Sequence, residues 1–278
     1  MPPVRKAIIP AAGFGTRFLP IAKAVPKEML PIVDRPVIDY VVEEAAASGI
    51  TDILIVISRD KRAIEEFFHS HPSLEAALRS KGKSAELEIV SAPNQRARLH
   101  FTWQQEMLGL GDAVLLGDTI VTSSDPANPV TAQLCAAFNS HGGSAVALEE
   151  VPEDKVSRYG IADASPIGDR TWRVHQWVEK PSRESAPSRM AIASRYVFSP
   201  AIFDCLAATP KGLGGEIQLT DAMRLLVSRE PMFGVQFNGT RHDIGNPAGF
   251  IKANLEFALQ RPEMADSIRR TIADLSGS

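Results

Sequence analysis

A short apolar run, Ala7-Ile8-Ile9, empties into Pro10-Ala11-Ala12-Gly13-Phe14-Gly15-Thr16-Arg17-Phe18-Leu19-Pro20, followed by Pro26-Lys27-Glu28-Met29-Leu30-Pro31. The run reads as a buried strand. A loop of small residues at its carboxyl end can hold phosphates, because backbone N–H groups approach the oxygens closely there. Arg17 adds a planar fork of donors and Lys27 a compact charge. An ordinary strand-to-helix turn needs neither. A dinucleotide fingerprint would need a third glycine where Phe18 stands, and a P-loop would need Gly-Lys-Ser/Thr, which the segment lacks.

Beyond this loop the chain alternates between strand and helix. Lys6–Ile9 is predicted as a strand, Val37–Ala47 as a helix closed by Gly49, and Asp52–Ile57 as a β-branched strand. Lys61–Phe68 is a predicted helix; Phe101–Gln104 and Ala113–Val121 are predicted strands. Such alternation implies parallel strands joined by crossover helices. Ligands of open α/β sheets bind outside the strands' carboxyl ends, which is where residues 10–17 fall. The second half is mixed, with strands at Ser144–Glu150, Trp172–Val178 and Ala191–Val197 and helices at Pro200–Ala207 and Leu219–Ser228. Gly249 to Leu275 is helical in pattern, broken at Pro262. The predicted fold is α/β, with a Rossmann-like, mixed, mostly parallel central sheet flanked by helices. No linker-like shift in composition divides the chain, so residues 1–278 are expected to form one domain on one continuous sheet.

A chain of 278 residues can bury one large core or two modest ones. A net charge of −3 without a dense basic run argues against a nucleic-acid partner. Arg79, Lys81, Lys83, Arg96 and Arg98 read as a solvated surface. Cys135 and Cys205 have no metal-ligand spacing, and two isolated thiols fit a reducing, cytoplasmic setting; a disulfide between them stays open. The N-terminal strand is too short to span a bilayer, and no long apolar leader precedes it, so no membrane is expected.

The first motif, Gly13 to Pro20 with Pro26 to Pro31, resembles the signature of sugar-1-phosphate nucleotidylyltransferases. The likeness recurs at Leu108-Gly109-Leu110-Gly111, Val178-Glu179-Lys180-Pro181, Gly215-Glu216-Ile217-Gln218-Leu219-Thr220-Asp221-Ala222 and His242-Asp243-Ile244-Gly245-Asn246, in the family's order. The fuller run from Ala22 to Asp34 is similar to members that act on UTP and glucose-1-phosphate to give UDP-glucose and pyrophosphate. The resemblance implies a nucleotide-binding half at about 1–125, a sugar-binding half at about 140–245 and C-terminal helices at about 247–275. Phe250, Leu255, Phe257 and Leu259 supply apolar bulk there. That bulk can be buried in a homodimer or homotetramer, or on the chain's own body.

The family's chemistry needs no protein nucleophile. It needs positioning and neutralisation of phosphates that would otherwise repel. By resemblance, Ala11, Ala12, Gly13, Gly15 and Thr16 line the nucleotide and its phosphates. Arg17 holds the departing β- and γ-phosphates, and Lys27 contacts phosphate oxygens in the transition state. Glu28 contacts the nucleotide or pairs with Lys23 or Lys27. Gln104 reads uracil through its amide, and the Gly109 N–H meets the base. Glu179 accepts hydrogen bonds from sugar hydroxyls, Lys180 contacts the phosphate joined to the sugar, and Gly160 lies against the sugar. Glu216 belongs to the same side, where Thr220 also reads as a plain helix start. Asp118 and Asp243 are the expected ligands of Mg²⁺, which takes few protein oxygens and keeps phosphates and water as the rest.

Two departures stand out. Between Gly111 and Asp118 the chain lacks the helix and most of the strand that family members carry. Trp103 stands where an arginine commonly precedes the glutamine. The first departure leaves room for a nucleotide-sugar-binding paralogue of regulatory role. Another base or sugar is a further alternative.

Overall fold

The computed structural model describes residues 3–104, 119–211 and 217–276. Its first half is organised around a parallel sheet. Strand β1 (Lys6–Pro10) leads through three short 3₁₀ turns to the small hairpin β2 (Pro31–Ile32) and β3 (Arg35–Pro36), then to helix α1 (Val37–Ala47). Strand β4 (Asp52–Ile57), helices α2 (Arg62–Phe68), α3 (Pro72–Ser80) and α4 (Ser84–Gln95), and strand β5 (Arg98–Trp103) complete it. The strands pair in the order β1-β4-β5, all parallel. Ile9, Ile53, Ile55 and Ile57 project onto Ile38, Val42, Ile64 and Phe68 of α1 and α2, all buried. Period-2 strands and period-3.6 helices thus bury one shared face, as the alternation requires.

The second half contains β6 (Thr119–Ser123), α5 (Val130–His141), β7 (Ser144–Glu150), β8 (Gly160–Gly168), β9 (Thr171–Glu179) and β10 (Met190–Val197). Helices α6 (Ala201–Ala208) and α7 (Leu219–Val227) come next, then β11 (Met232–Gln236), β12 (Gly239–Asp243), α8 (Pro247–Leu259) and α9 (Pro262–Ser276). Five strands close on themselves in the order β10-β7-β11-β9-β8. Only β11 and β7 run parallel in this ring. Trp177 lies fully buried within it, its indole N–H 3.0 Å from Met232 Sδ, beside Met223 and Leu226 of α7. Strands β6 and β12 form a separate antiparallel pair.

The fold is mixed α/β with a parallel sheet and flanking helices, as expected, but the single continuous sheet is not what the described residues form. Their strands fall into separate ladders. Residues of β1 (Lys6, Ile8) and of β10 (Tyr196, Val197) line a common cavity of about 1060 Å³. Of the strand expected at Ala113–Val121, only Thr119 onward is described, and it continues to Ser123.

One surface reading is corrected. Arg96 is not solvated: it pairs with the buried Asp39 of α1 and reaches Glu43 at 3.3 Å. It belongs to the packing of α4 on α1, whereas Arg98 is exposed. Phe250 and Phe257 pack on the chain's own body, edge-on to Phe18 and Tyr40 respectively. Cys135 and Cys205 are both free thiols.

Helix α1 also contributes Glu44. Its carboxylate accepts from Arg195 Nε at 2.9 Å and from the Thr131 N–H at 2.7 Å, and Arg195 is only 5% exposed. Glu44→Ala removes the anion and leaves a buried guanidinium without its counter-charge. Loss of one partner of such a pair costs about 3–5 kcal/mol. The midpoint of urea denaturation should fall accordingly at an unchanged slope. A midpoint equal to that of the unaltered chain would mean the pair contributes nothing.

Candidate active site

The loop after β1 is shaped by burial on one side and exposure on the other. Ala11 and Ala12 are 1% and 3% exposed, and the Ala11 N–H donates to Val56 O at 2.7 Å. Gly13, Phe14, Thr16 and Arg17 are exposed. Gly15 takes a left-handed φ of +66° before the 3₁₀ turn Thr16–Phe18. A Cβ there would also stand 3.2 Å from the Lys27 side chain, so glycine serves both the turn and the approach of the lysine stem. Arg17 Nη1 lies 3.4 Å from Gly245 O, a long contact that ties the loop to the segment after β12.

Glu28 lies beneath the loop. It is 1% exposed, and both its carboxylate oxygens accept from Lys61 Nζ, at 2.9 and 2.7 Å. Lys27 Nζ is 3.9 Å away, so the closest pairing of Glu28 goes to neither of the two expected lysines but to one the sequence did not single out. Lys61 also donates to Gly13 O at 2.6 Å. It stands 33 residues beyond Glu28, and no local pattern marks it. The only signal was its place at the predicted end of a strand-to-helix turn.

Gln104 follows β5, its N–H donating to Ile57 O at 2.9 Å. Trp103 beside it is 50% exposed. Gly109, Asp118 and Glu216 lie outside the described residues, as does the expected shortening between Gly111 and Asp118.

A second cluster forms where β8 and β9 meet. Gly160 lies opposite Glu179 in the antiparallel register. A Cβ on Gly160 would come within 2.8 Å of Ile192 Cδ1 and 3.2 Å of Glu179 Oε2. A side chain at position 160 would thus displace the flexible ends of the protein's own Ile192 and Glu179. Glu179 Oε2 accepts from Thr220 Oγ1 at 2.8 Å, and Oε1 lies 3.4 Å from Lys180 Nζ. Thr220 thus both opens α7 and holds this carboxylate. Lys180 has a positive φ of 46°, and its N–H donates to Tyr159 O at 3.0 Å.

Strand β12 joins the two clusters. Arg241 lies over the Tyr159 ring at 5.0 Å, donates to its hydroxyl at 3.1 Å and pairs with Glu149. Burial pushes the Glu149 carboxyl above the usual carboxylate range, against the pull of Arg241. Two residues on, the exposed Asp243 accepts the Gly245 N–H at 3.1 Å, and Gly245 O faces Arg17. Among the described residues no three His, Cys, Asp or Glu side chains gather to hold a metal. An exposed carboxylate with hard oxygen donors still fits Mg²⁺, which needs one or two protein carboxylates beside phosphates and water.

Burial, with the charges of Lys61 and Arg17 added, lowers the Lys27 ammonium from 10.5 to about 8, although Glu28 opposes the shift. The sign follows from the folded value lying below the unfolded one. The cost of holding this charge is fully present below pH 8 and is relieved as pH rises toward 10.5. Acylation of Lys27, followed by mass spectrometry, should reach half its maximal rate near pH 8, and a bound triphosphate should move that point upward. A half-point near 10.5 in the free protein would contradict the burial argument.

The sequence matches the Nucleotidyl transferase family over residues 6–260. It is 44% identical to a UTP–glucose-1-phosphate uridylyltransferase of Staphylococcus epidermidis, with 99% of each chain covered. The corresponding enzyme of Staphylococcus haemolyticus is 45% identical over the same shares. Both alignments run over 289 positions against 278 residues here, so at least eleven positions have no counterpart in this chain. A UTP-bound UGPase from Acinetobacter baumannii superposes with a TM-score of 0.90 at 33% identity, covering 98% of this chain and 99% of that one. A UDP-glucose pyrophosphorylase complexed with UDP-glucose superposes with a TM-score of 0.82 at 36% identity, covering 93% of this chain and all of the other. With the family model matching residues 6–260 and the relatives aligning over nearly its whole length, the chain belongs to the nucleotidyl transferase family.

Proposed function

We propose that the protein transfers a uridylyl group from UTP to glucose-1-phosphate, giving UDP-glucose and pyrophosphate. The observation that carries this reading is the convergence on β12 of two clusters. One is a cationic loop suited to phosphates; the other is a carboxylate, a lysine and a close-packed glycine suited to a sugar phosphate. The names and bound ligands of the relatives support the same pair of substrates.

In this reaction an oxygen of the sugar phosphate attacks the α-phosphorus of UTP. The bond from the α-phosphorus to the bridging oxygen breaks, and pyrophosphate leaves with that oxygen. The protein's task is to hold like charges together and in line. Arg17 and Lys27 face the departing phosphates, beside the loop that runs from Ala11 to Thr16. Gln104 and Gly109 serve the uracil. Glu179, steadied by Thr220, accepts sugar hydroxyls, and Lys180 meets the phosphate joined to the sugar. Gly160 keeps that floor low, and Glu216 belongs to the same side by sequence. Asp243, with Asp118, would hold Mg²⁺, which when bound supplies the remaining neutralisation of phosphate charge.

The setting is the cytoplasm, consistent with two free thiols. No helix among the described residues is long and apolar enough to cross a membrane. Because Phe250 and Phe257 are used internally, a homodimer or homotetramer would bury the exposed Ile251 and Leu255 of α8.

Pyrophosphate release, measured with UTP, dTTP, ATP, CTP and GTP across several sugar-1-phosphates while Mg²⁺ is titrated, tests this reading. UTP with glucose-1-phosphate should give the highest rate, and chelation should abolish it. A faster pair reassigns the specificity; no release with any pair rejects the activity. Glu179→Gln should raise the apparent KM for glucose-1-phosphate about tenfold, the loss of one hydrogen bond to a charged group. The KM for UTP should stay nearly constant. Equal movement of both would take Glu179 out of the sugar site.

A further inference from the structure

Lys61 has a job that its burial alone does not explain. Its ammonium, on a residue only 6% exposed, spends all three N–H donors: two on Glu28 and one on Gly13 O at 2.6 Å. Saturated in this way, it has no donor left for a ligand. Burying such a pair is costly, and apolar side chains of similar volume support a loop as well. What an apolar side chain does not do is fix the direction of a carbonyl.

The consequence runs through the peptide plane. The Gly13–Phe14 peptide is trans. In a planar trans peptide the C=O and the next N–H point in opposite directions. Gly13 O points down to the buried Lys61, so the Phe14 N–H points to the exposed side of the loop. No group among the described residues accepts it. The left-handed Gly15 lies between this amide and the turn that carries the exposed Arg17.

We propose that Lys61 is a positioning residue for the triphosphate, acting through the Gly13–Phe14 peptide. It turns the Phe14 N–H toward a phosphate oxygen without touching the nucleotide itself. Glu28 is its counter-ion and keeps the ammonium in place. The inference rests on the triphosphate reading above and assigns a role to two residues beneath the loop.

The test pairs a double variant with a measurement on the unaltered chain. Lys61→Met alone strands the Glu28 carboxylate, so Lys61→Met is combined with Glu28→Gln to remove both charges. Binding of UTP, read by calorimetry, should weaken roughly tenfold with the loss of an oriented charge-assisted contact. The KM for UTP should rise in parallel, while that for glucose-1-phosphate stays within about twofold. In the unaltered chain, UTP should slow hydrogen exchange at the Phe14 amide. A folded double variant that binds UTP as the unaltered chain does overturns the proposal, and so does a Phe14 amide indifferent to UTP. If the double variant does not fold, the Phe14 measurement decides. An unaltered chain that binds UTP without turnover counts against the transferase reading alone; one that binds no UTP overturns both.

Discussion

The register of β12 against β6 fixes where three side chains point. Arg241 lies opposite Val121, His242 opposite Ile120 and Asp243 opposite Thr119. Alternation sends Arg241 and Asp243 to one face and His242 to the other. There His242 is buried, with Nδ1 2.8 Å from Glu256 and Nε2 3.1 Å from the Thr122 hydroxyl. A slip of one residue would bring an imidazole to the site in place of a guanidinium and a carboxylate. Two glycines let the backbone pack this closely around the strand. A Cβ at Gly239 would collide with Thr122 O, and one at Gly249 with Asp243 O. Both clusters of the site hang on this strand, Arg241 bracing Tyr159 and Asp243 sitting beside the Arg17 tether.

Charge does inside this protein what apolar periodicity cannot. Helix α1 faces the sheet with Ile38, Val41 and Val42, yet it also carries Asp39, Glu43 and Glu44 into contact with three arginines. Arg35 comes from the hairpin, Arg96 from the end of α4 and Arg195 from β10, whose Nη2 also donates to Thr119 O at 3.3 Å. Apolar contacts are non-directional, so they leave neighbouring elements free to slide. Ion pairs with hydrogen-bond geometry specify one arrangement, and the Lys61–Glu28 pair beneath the β1 loop obeys the same logic.

Much of this was legible from the residues. Strands such as Asp52–Ile57 and Ser144–Glu150 coincide with their predicted bounds, because β-branched runs between turn residues leave little choice. Helix α1 ends before Gly49, whose φ of +86° explains the stop. Helices α3 and α4 gave no such signal: α3 buries no residue, and α4 contains Pro93. The closed ring of β7 to β11 was hidden because pairing between distant strands leaves no mark in local pattern. The candidate site divides in the same way. Arg17, Lys27, Gly160, Glu179 and Asp243 sit in motifs, whereas Lys61 and Arg241 work through partners far along the chain.

The loop after β1 is held from the far end of the chain. Arg17 reaches Gly245, Phe18 meets Phe250, the Val33 N–H donates to Asn254 Oδ1 at 2.8 Å, and Asp34 takes both arms of Arg261. These partners lie more than 220 residues apart in sequence. Synthesis proceeds from the N-terminus, and early elements fold as they emerge. The β1 loop therefore leaves the ribosome first and is braced last, after α8 has formed. A chain cut short before α8 would carry every residue of the first motif and still lack the frame that shapes it.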